Sequence, residues 1–260
     1  MLSYQHLYHA GNAADVHKHA LLAWALDYLT RKDKPLTYLE THAGRGLYNL
    51  AAVEALKTSE AAQGVNRLAQ KFTNAHPYAR ALADTRTRFG ASAYPGSPLI
   101  AASLLRDTDV LHLAELHPGE HAHLDATLTP FGAKVLHEDG WQMAISRTPP
   151  TPRRGLMLID PSWEVKTDYE TAPKRLAQIH KRWNVGIVML WYPVLSDGRQ
   201  RSMTRALTQS IPDILLHEVS FPPARPGHGM VGSGLAVINP PYGFSEEAAH
   251  ISALFDNKEF

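Results

Sequence analysis

The sequence contains no cysteine, and this absence excludes both a disulfide framework and a metal site built on thiolates. It also lacks any run of about 18 apolar residues, the length that a helix needs to cross a bilayer. The starting stretch, MLSYQHLYHAGN, has neither the basic region nor the apolar core of a secretory signal. We therefore expect a cytoplasmic protein with no membrane partner.

The chain also has no excess of charge of either sign, because it contains 26 basic and 25 acidic residues and has a net charge of +1. This balance neither requires nor excludes a nucleic-acid partner, since an RNA-binding protein needs a local basic face rather than a basic total. The basic residues do cluster, in a way that suits an RNA-binding face and equally the solvated faces of helices. The clusters lie at 31–34, 153–154, 174–175, 181–182 and 199–201.

Apolar residues make up 44% of the 260 residues, which is enough to build one hydrophobic core. Short apolar runs that end in polar or acidic residues recur at 37–40, 110–116, 133–139, 155–160 and 184–193. Helical or polar stretches, such as 97–106 and 168–182, separate these runs. Strands that alternate with helices predict an α/β fold with a mostly parallel sheet, whose ligand binds at the carboxyl ends of the strands.

The two ends of the chain carry further structural signals. Residues 13–30 show apolar side chains at helical spacing, and Asn12 before them is a suitable N-cap. Near the other end, the strands predicted at 213–221 and 234–241 are joined by a loop rich in proline and glycine. This loop is too short for a helical crossover, so these two strands should be antiparallel.

The segment 48–93 interrupts the alternating pattern. It separates the strand at 37–40 from the next strand by far more residues than one βα unit needs, and the stretches 59–72 and 77–89 within it have helical periodicity. We interpret 48–93 as an inserted helical subdomain within a single domain spanning 1–260. An ordinary long crossover is the alternative, but insertions at the ligand edge commonly carry recognition, which favours a substrate role.

Acidic residues end successive strands at the edge where a ligand should bind. Glu115 ends the strand at 110–116 and is suited to accept hydrogen bonds from ribose hydroxyls. Asp139, followed by Gly140, ends the next strand, where a carboxylate can accept from an adenine amino group. The glycines of THAGRG, which follow the first strand, allow the backbone to approach a ligand closely. In this order, these features predict a pocket for a nucleoside cofactor.

The stretch YPGSPL predicts the start of a helix. Ser97 is a good N-cap residue and Pro98 a good first helical residue. The free amides at such a helix start would suit the carboxylate of a ligand. A capped helix without any ligand is the alternative.

Two stretches compete for the catalytic position, DPSW beginning at Asp160 and NPPY beginning at Asn239. Asp160 and the carbonyl of Pro161 can both accept from one exocyclic amino group, which turns its lone pair toward an electrophile and stabilises the developing positive charge. Trp163 offers an aromatic face for stacking an extruded base. Asn239 follows the last strand, and the order of the acidic strand ends argues against a permuted fold. Asp160 is therefore the predicted catalytic residue.

These motifs resemble those of the bacterial RlmJ family of 23S rRNA adenine-N6 methyltransferases. The resemblance covers nearly the whole chain, and it rests on MLSYQHLYHAGNAADVHKHALL, YLETHAGRGLY, YPGSPLI, ELHP, EDGW, GLMLIDPSWEVKTDYE, LWYPV and MVGSGLAVINPP. It implies a class I, Rossmann-like methyltransferase fold with a seven-stranded sheet, mostly parallel with one antiparallel strand, plus the inserted helical subdomain. It also implies a monomer that uses S-adenosyl-L-methionine and no metal, and releases S-adenosyl-L-homocysteine. The implied substrate is one flipped-out adenine, adenine 2030 in the family, of protein-free 23S rRNA.

Carried over residue by residue, the resemblance implies a set of cofactor contacts: His19, His42, Ser97, Glu115, Asp139, Gly140 and Asp160. It implies substrate contacts by Tyr4, His6 and Lys18, to which the stacking role of Trp163 is added. The sequence departs from the family at Ser162, where a second proline is usual. Proline fixes φ and removes an N–H, so a serine should leave this loop less preorganised.

Histidines near the N-terminus raise the competing hypothesis of a metallohydrolase. On one helix His17 and His19 would point about 200° apart and could not share a metal ion, and only His6 and His9 have tolerable spacing. We therefore predict no metal site. Two alternatives stay open: a non-catalytic protein that binds the cofactor and RNA, suggested by Ser162, and an adenine-N6 methyltransferase that acts on DNA or another RNA.

Overall fold

The computed structural model describes residues 6–58, 60–165, 167–225, 227 and 229–255, with the backbone alone for His6. The strands are β1 (Thr37–Glu40), β2 (Leu47–Asn49), β3 (Ala93–Pro95), β4 (Val110–Ala114), β5 (Lys134–Leu136), β6 (Gly155–Ile159), β7 (Ile187–Leu195), β8 (Leu215–Ser220) and β9 (Met230–Ile238). The helices are α1 (Ala13–Thr30), α2 (Val53–Thr58), α3 (Glu60–Gln63), α4 (Val65–Leu68), α5 (Pro77–Phe89), α6 (Ser97–Leu104), α7 (Pro118–Leu128), α8 (Gly140–Ser146), α9 (Asp168–Arg182), α10 (Gln200–Ser210) and α11 (Phe244–Phe255). Single 3₁₀ turns lie at His6–Tyr8, Ala69–Lys71 and Thr129–Phe131.

The described strands form one seven-stranded sheet in the order β5, β4, β1, β6, β7, β9, β8, together with a separate ribbon of β2 and β3. The strands from β5 to β7 are parallel. β9 is antiparallel to both of its neighbours, pairing Ile238 with Val188 and Val237 with Leu215. A mostly parallel sheet with one antiparallel strand confirms the predicted fold class.

Several predicted elements are confirmed with their bounds. α1 spans the helix predicted at 13–30, and the side chain of Asn12 caps it by accepting a hydrogen bond from the Asp15 N–H at 2.8 Å. α9 spans the helix predicted at 168–182. The last two strands pair antiparallel, as the length of their connecting loop predicted, but β9 spans Met230–Ile238 instead of the predicted 234–241.

Side chains alternate across the central strands and feed two hydrophobic clusters. On β6, Leu156 and Leu158 join the cluster around α1, whereas Met157 and Ile159 join the cluster around α9 and α10. α1 is buried on almost all sides because it packs against α5, α6, α11 and β9. None of the described helices, α1 included, is long and apolar enough to cross a bilayer.

The segment between β2 and β3 is helical but more broken than its periodicity predicted. The stretch 59–72 does not form one helix, because Gly64 separates α3 from α4. A Cβ atom at Gly64 would lie 2.1 Å from the Gly11 carbonyl oxygen, so only glycine permits this close approach. The predicted helix 77–89 is present as α5. The boundaries of a subdomain at 48–93 stay a prediction.

Candidate active site

A cavity of about 510 Å³ opens at the carboxyl ends of the parallel strands, and this volume is typical of small-molecule sites. Most of the residues singled out in the sequence meet in its lining: Lys18, His19, His42, Ser97, Glu115, Asp139, Gly140, Asp160 and Pro161. They come from separate strand ends and helix starts, which the parallel sheet brings to one edge. Their individual roles stay predictions.

Glu115 and Asp139 follow β4 and β5 and hold backbone amides around the cavity. The Glu115 carboxylate accepts hydrogen bonds from the N–H groups of Gly44 at 2.8 Å and His117 at 2.7 Å. Asp139 caps α8 by accepting from the Gln142 N–H at 2.9 Å. Both carboxylates are therefore fixed in orientation, and each has further lone pairs for a ligand.

Glycines allow the loop after β1 to pack directly against the start of α8. Gly44 and Gly46 have φ angles of 61° and 77°, in the left-handed region that favours glycine. A Cβ atom at Gly140 would lie 1.9 Å from the Thr41 carbonyl oxygen, so only glycine permits this contact. Gly44 and Gly140 both line the cavity beside the contact.

Beneath the cavity, Glu40 is fully buried and accepts two hydroxyl hydrogen bonds. Ser97 Oγ donates to its Oε1 at 2.5 Å, and the Tyr38 hydroxyl donates to its Oε2 at 2.8 Å. Burial raises the pKa of Glu40 to about 8, although the two hydroxyl hydrogen bonds oppose this. The predicted capping role of Ser97 is wrong, because Gly96 is the N-cap residue and Ser97 is already helical, with its hydroxyl bound to Glu40.

The raised pKa of Glu40 predicts how stability depends on pH. Because the folded protein binds the Glu40 proton more tightly than the unfolded chain, this stabilisation is complete below pH 4.5 and is lost as the pH rises through about 8. Glutamine has the shape of the protonated carboxyl group and does not titrate. We therefore expect wild type to lose stability relative to Glu40→Gln by about 1 kcal/mol per pH unit across this window.

Urea unfolding of both proteins at several pH values measures this difference. The histidines titrate in both proteins, so their contribution cancels in the comparison. A difference in unfolding free energy that stays constant with pH would contradict a protonated Glu40.

His19 and His42, two predicted cofactor contacts, border the cavity from α1 and from the loop after β1. His19 Nδ1 is 2.9 Å from the Tyr94 hydroxyl, and His42 Nδ1 is 2.7 Å from Thr41 Oγ1. Desolvation lowers the pKa of His42 to about 4. The His42 ring is therefore neutral at neutral pH and offers a hydrogen bond or a packing surface rather than a charge.

Asp160 follows β6 and is bound by a lysine from α1. Lys18 Nζ donates to Asp160 Oδ2 at 2.5 Å and lies 3.1 Å from Asp15 Oδ1. Burial alone would lower the pKa of Lys18, but the charges of Asp160 and Asp15 outweigh it and the pKa is raised. Lys18 is therefore a permanent cation that fixes one oxygen of the Asp160 carboxylate.

Trp163, the predicted stacking residue, is turned into the protein. It is 7% exposed, its indole N–H donates to the Trp191 carbonyl at 3.1 Å, and its ring centre is 4.6 Å from that of Tyr169. Its φ of 58° is unfavourable for so large a side chain. Trp163 is not among the described residues that line the cavity, whereas Pro161 and Ser162 are. In this conformation Trp163 does not present its face to a base.

The competing NPPY motif lies at the opposite edge of the sheet. Because β9 is antiparallel, Ile238 at its end pairs with Val188 at the start of β7. Asn239 Nδ2 donates to the carbonyl oxygens of Asn184 and Gly186 at 2.9 and 2.8 Å. The motif therefore closes the turn before β7 and does not share an edge with Asp160.

The stretch that precedes α1 is attached to the helices between β2 and β3. Of the predicted substrate contacts, Tyr4 and the side chain of His6 lie outside the described residues. His9 lines the cavity, and its Nδ1 is 3.0 Å from Oε1 of Glu60 on α3. This hydrogen bond raises the pKa of His9. The contact joins the stretch before α1, in which substrate contacts are predicted, to α3. The role of 48–93 itself stays a prediction.

Arg175 and Trp191 also line the cavity; the sequence assigned Arg175 no individual role and offered Trp191 only as an alternative to Trp163 for stacking the base. Arg175 on α9 lines the cavity with its guanidinium 4.8 Å from the ring centre of Trp141. Trp191 on β7 lines it on the side of Asp160. The position of Trp191 near the carboxyl end of a predicted strand indicates a place at the ligand edge. For Arg175 the sequence shows only a charged residue on a predicted helix, which does not indicate a ligand contact.

Comparison with known proteins identifies the family. The family model described as ribosomal RNA large subunit methyltransferase D, RlmJ, matches residues 33–258. The ribosomal RNA large subunit methyltransferase J of Escherichia coli K12 is 40% identical over 99% of this chain and 94% of its own. Its namesake in Haemophilus influenzae is 38% identical over 93% of this chain and 88% of its own. A crystal structure of the Legionella pneumophila protein LPL1258 has a TM-score of 0.84 at 35% identity, over 95% of this chain and 94% of that one. The chain, with its methyltransferase sheet order and these matches along nearly its whole length, belongs to the RlmJ family of ribosomal RNA large subunit methyltransferases.

Proposed function

We propose that this protein transfers the methyl group of S-adenosyl-L-methionine to the exocyclic N6 amino group of one adenine in 23S rRNA, acting before ribosomal proteins cover the target. One observation carries the proposal. Asp160 and Pro161 line the same cavity as Glu115 and Asp139, so a methyl donor and an amino acceptor would be held within one enclosure.

The residues around the cavity fit the cofactor, which supplies an electrophilic methyl group on a positively charged sulfur. Glu115 would accept hydrogen bonds from the ribose hydroxyls, and Asp139 from the adenine amino group. The adenine ring would lie in the part of the cavity that Gly140 lines. The remaining contacts in the proposal are His19, His42 and Ser97, together with Asp160 on the substrate side.

On the acceptor side, the amino nitrogen of adenine is a poor nucleophile because its lone pair is delocalised into the ring. Asp160 and the Pro161 carbonyl would accept its two N–H groups and thereby turn the lone pair toward the methyl group. The carboxylate also stabilises the positive charge that develops on the nitrogen. The step ends when this nitrogen loses one proton.

Lys18 would position Asp160 for this step. Its ammonium nitrogen is 2.5 Å from Asp160 Oδ2, so the second carboxylate oxygen is the one that would accept from the base.

The substrate base would have to leave its helix to react. The Asp160 side chain is only 14% exposed, and a base stacked in a duplex cannot reach so recessed a group, whereas a flipped base can. We expect a monomer to carry out this reaction on protein-free RNA in the cytoplasm, with no metal ion.

The test uses 23S rRNA transcribed in vitro, which carries no earlier modification. The protein is incubated with methyl-labelled cofactor and with this RNA, assembled large subunits or DNA of the same sequence. Mass spectrometry of the nucleosides identifies the modified base, and mass spectrometry of nuclease fragments locates it. We expect N6-methyladenosine in the free RNA at a single position, adenine 2030, and little label in the other two substrates. Label in DNA alone would favour the DNA enzyme, and cofactor binding without transfer to any substrate would favour a non-catalytic binder.

A further inference from the structure

The carboxyl edge of the sheet divides the cavity into two halves. Asp139 and Glu115 follow β5 and β4, which lie on one side of β1, and they form the cofactor half. Asp160 follows β6, on the other side of β1, and the neighbouring strand β7 contributes Trp191 and Pro193 to the lining. A base whose amino group meets Asp160 on the side away from the cofactor lies over β6 and β7, beside Trp191.

A buried chain of hydrogen bonds fixes the indole of Trp191. Its Nε1 donates to Ser233 Oγ on β9 at 2.9 Å, and this oxygen is 2.8 Å from His17 Nδ1. His17 Nε2 is in turn 2.9 Å from His217 Nδ1. Ser233 and His17 are completely buried, so the indole is held in one orientation, as a preorganised recognition surface requires.

Lys18 relates the position of Trp191 to that of Asp160. The Lys18 ammonium nitrogen is 5.5 Å from the ring centre of Trp191 and 2.5 Å from Asp160 Oδ2. The ring centre is therefore separated from that oxygen by no more than the sum of these two distances. A purine whose amino group reaches the carboxylate extends over such a distance, so its ring can overlap the indole.

We propose that Trp191, and not Trp163, is the residue on which the target adenine stacks. The inference rests on the proposed function and adds to it the group that binds the flat face of the base. Stacking on an aromatic side chain tightens the binding of a base by about 5- to 150-fold. It acts on the RNA substrate alone, because the cofactor lies over the other strands.

The first experiment compares three variants by steady-state kinetics on the in vitro transcript. Trp191→Ala should lower kcat/KM for RNA by about 5- to 150-fold and leave the dissociation constant of S-adenosyl-L-methionine, measured by calorimetry, unchanged. Trp191→Phe keeps an aromatic face and should retain kcat/KM within a few-fold. Trp24→Ala is the matched control, since Trp24 stacks on Tyr28 and is not among the described cavity residues. A Trp191→Ala enzyme with the kcat/KM of wild type overturns the inference.

The second experiment does not depend on turnover. The fluorescence of 8-vinyladenosine monophosphate, a fluorescent analogue that keeps the amino group at position 6, is titrated with each protein in the presence of S-adenosyl-L-homocysteine. Quenching by wild type and Trp24→Ala that is lost in Trp191→Ala supports stacking on Trp191, even if no substrate is methylated and the proposed function fails. Quenching that persists in Trp191→Ala, or that wild type does not produce, overturns the inference, even if wild type methylates the transcript.

Discussion

Replacement of Asp160 by alanine is expected to lower the rate of methyl transfer by about 1000-fold. The variant loses the carboxylate that would accept from the N6 amino group and stabilise its positive charge, and no neighbouring side chain replaces it among the residues that the structure describes. The Pro161 carbonyl alone would leave the lone pair in the ring. Single-turnover transfer of labelled methyl groups to the in vitro transcript measures the rate, and calorimetry measures the cofactor affinity separately.

Two further variants make this result specific. Asp160→Asn keeps one acceptor oxygen in the same place, so it should retain more activity than Asp160→Ala, at about 10 to 100-fold below wild type. Asp84→Ala removes an exposed carboxylate on α5 and should leave the rate unchanged. If Asp160→Ala transfers methyl groups at a rate near that of wild type, Asp160 is not the catalytic residue.

The fold and the edge that carries the site could be predicted because they depend on local patterns. Each strand is a short apolar run, and the parallel order forces the residues that follow the strands, Glu115, Asp139 and Asp160, to one edge of the sheet. NPPY was rejected because it follows the last strand and because the order of the acidic strand ends argues against a permuted fold. The structure adds a second reason, since the antiparallel strand β9 delivers Asn239 to the other edge. These predictions required knowing only which strands exist and in which direction they run.

The errors concern contacts between residues that are distant in sequence. Ser97 matches a helix N-cap locally, but a buried carboxyl group, Glu40, takes its hydroxyl and shifts the cap to Gly96. The helix predicted at 59–72 is interrupted at Gly64, where the backbone packs closely against that of Gly11. Helical periodicity does not indicate such a contact.

Trp163 was misplaced for a related reason. Its positive φ reverses the direction in which the side chain leaves the loop, and local sequence does not reveal this, because such a conformation is rare for a large residue. The contact of Lys18 with Asp160 spans 142 residues and is equally invisible before the fold is known.

Replacement of Gly140 by alanine is expected to cause the second large effect, a loss of cofactor affinity of more than about 100-fold with a free energy of unfolding lower by about 1–3 kcal/mol. The added Cβ would lie 1.9 Å from the carbonyl oxygen of Thr41. That oxygen belongs to a loop held in place by the hydrogen bond from the Thr41 N–H to the Leu158 carbonyl oxygen, so the backbone itself must move. His42 and Gly44 are on the same loop, and their displacement would distort the part of the cavity beside Gly140 that is proposed for the adenine of the cofactor.

Gly229→Ala is the matched control, because a Cβ atom there meets nothing within 4 Å. It should change neither the thermal unfolding curve nor the dissociation constant of S-adenosyl-L-methionine measured by calorimetry. The combination of effects is informative, since a clash in a region unrelated to the cofactor would lower stability alone. Gly140→Ala with reduced stability but normal cofactor affinity would mean that the part of the cavity beside Gly140 does not hold the adenine of the cofactor, and the ring would then have to bind elsewhere along the carboxyl edge.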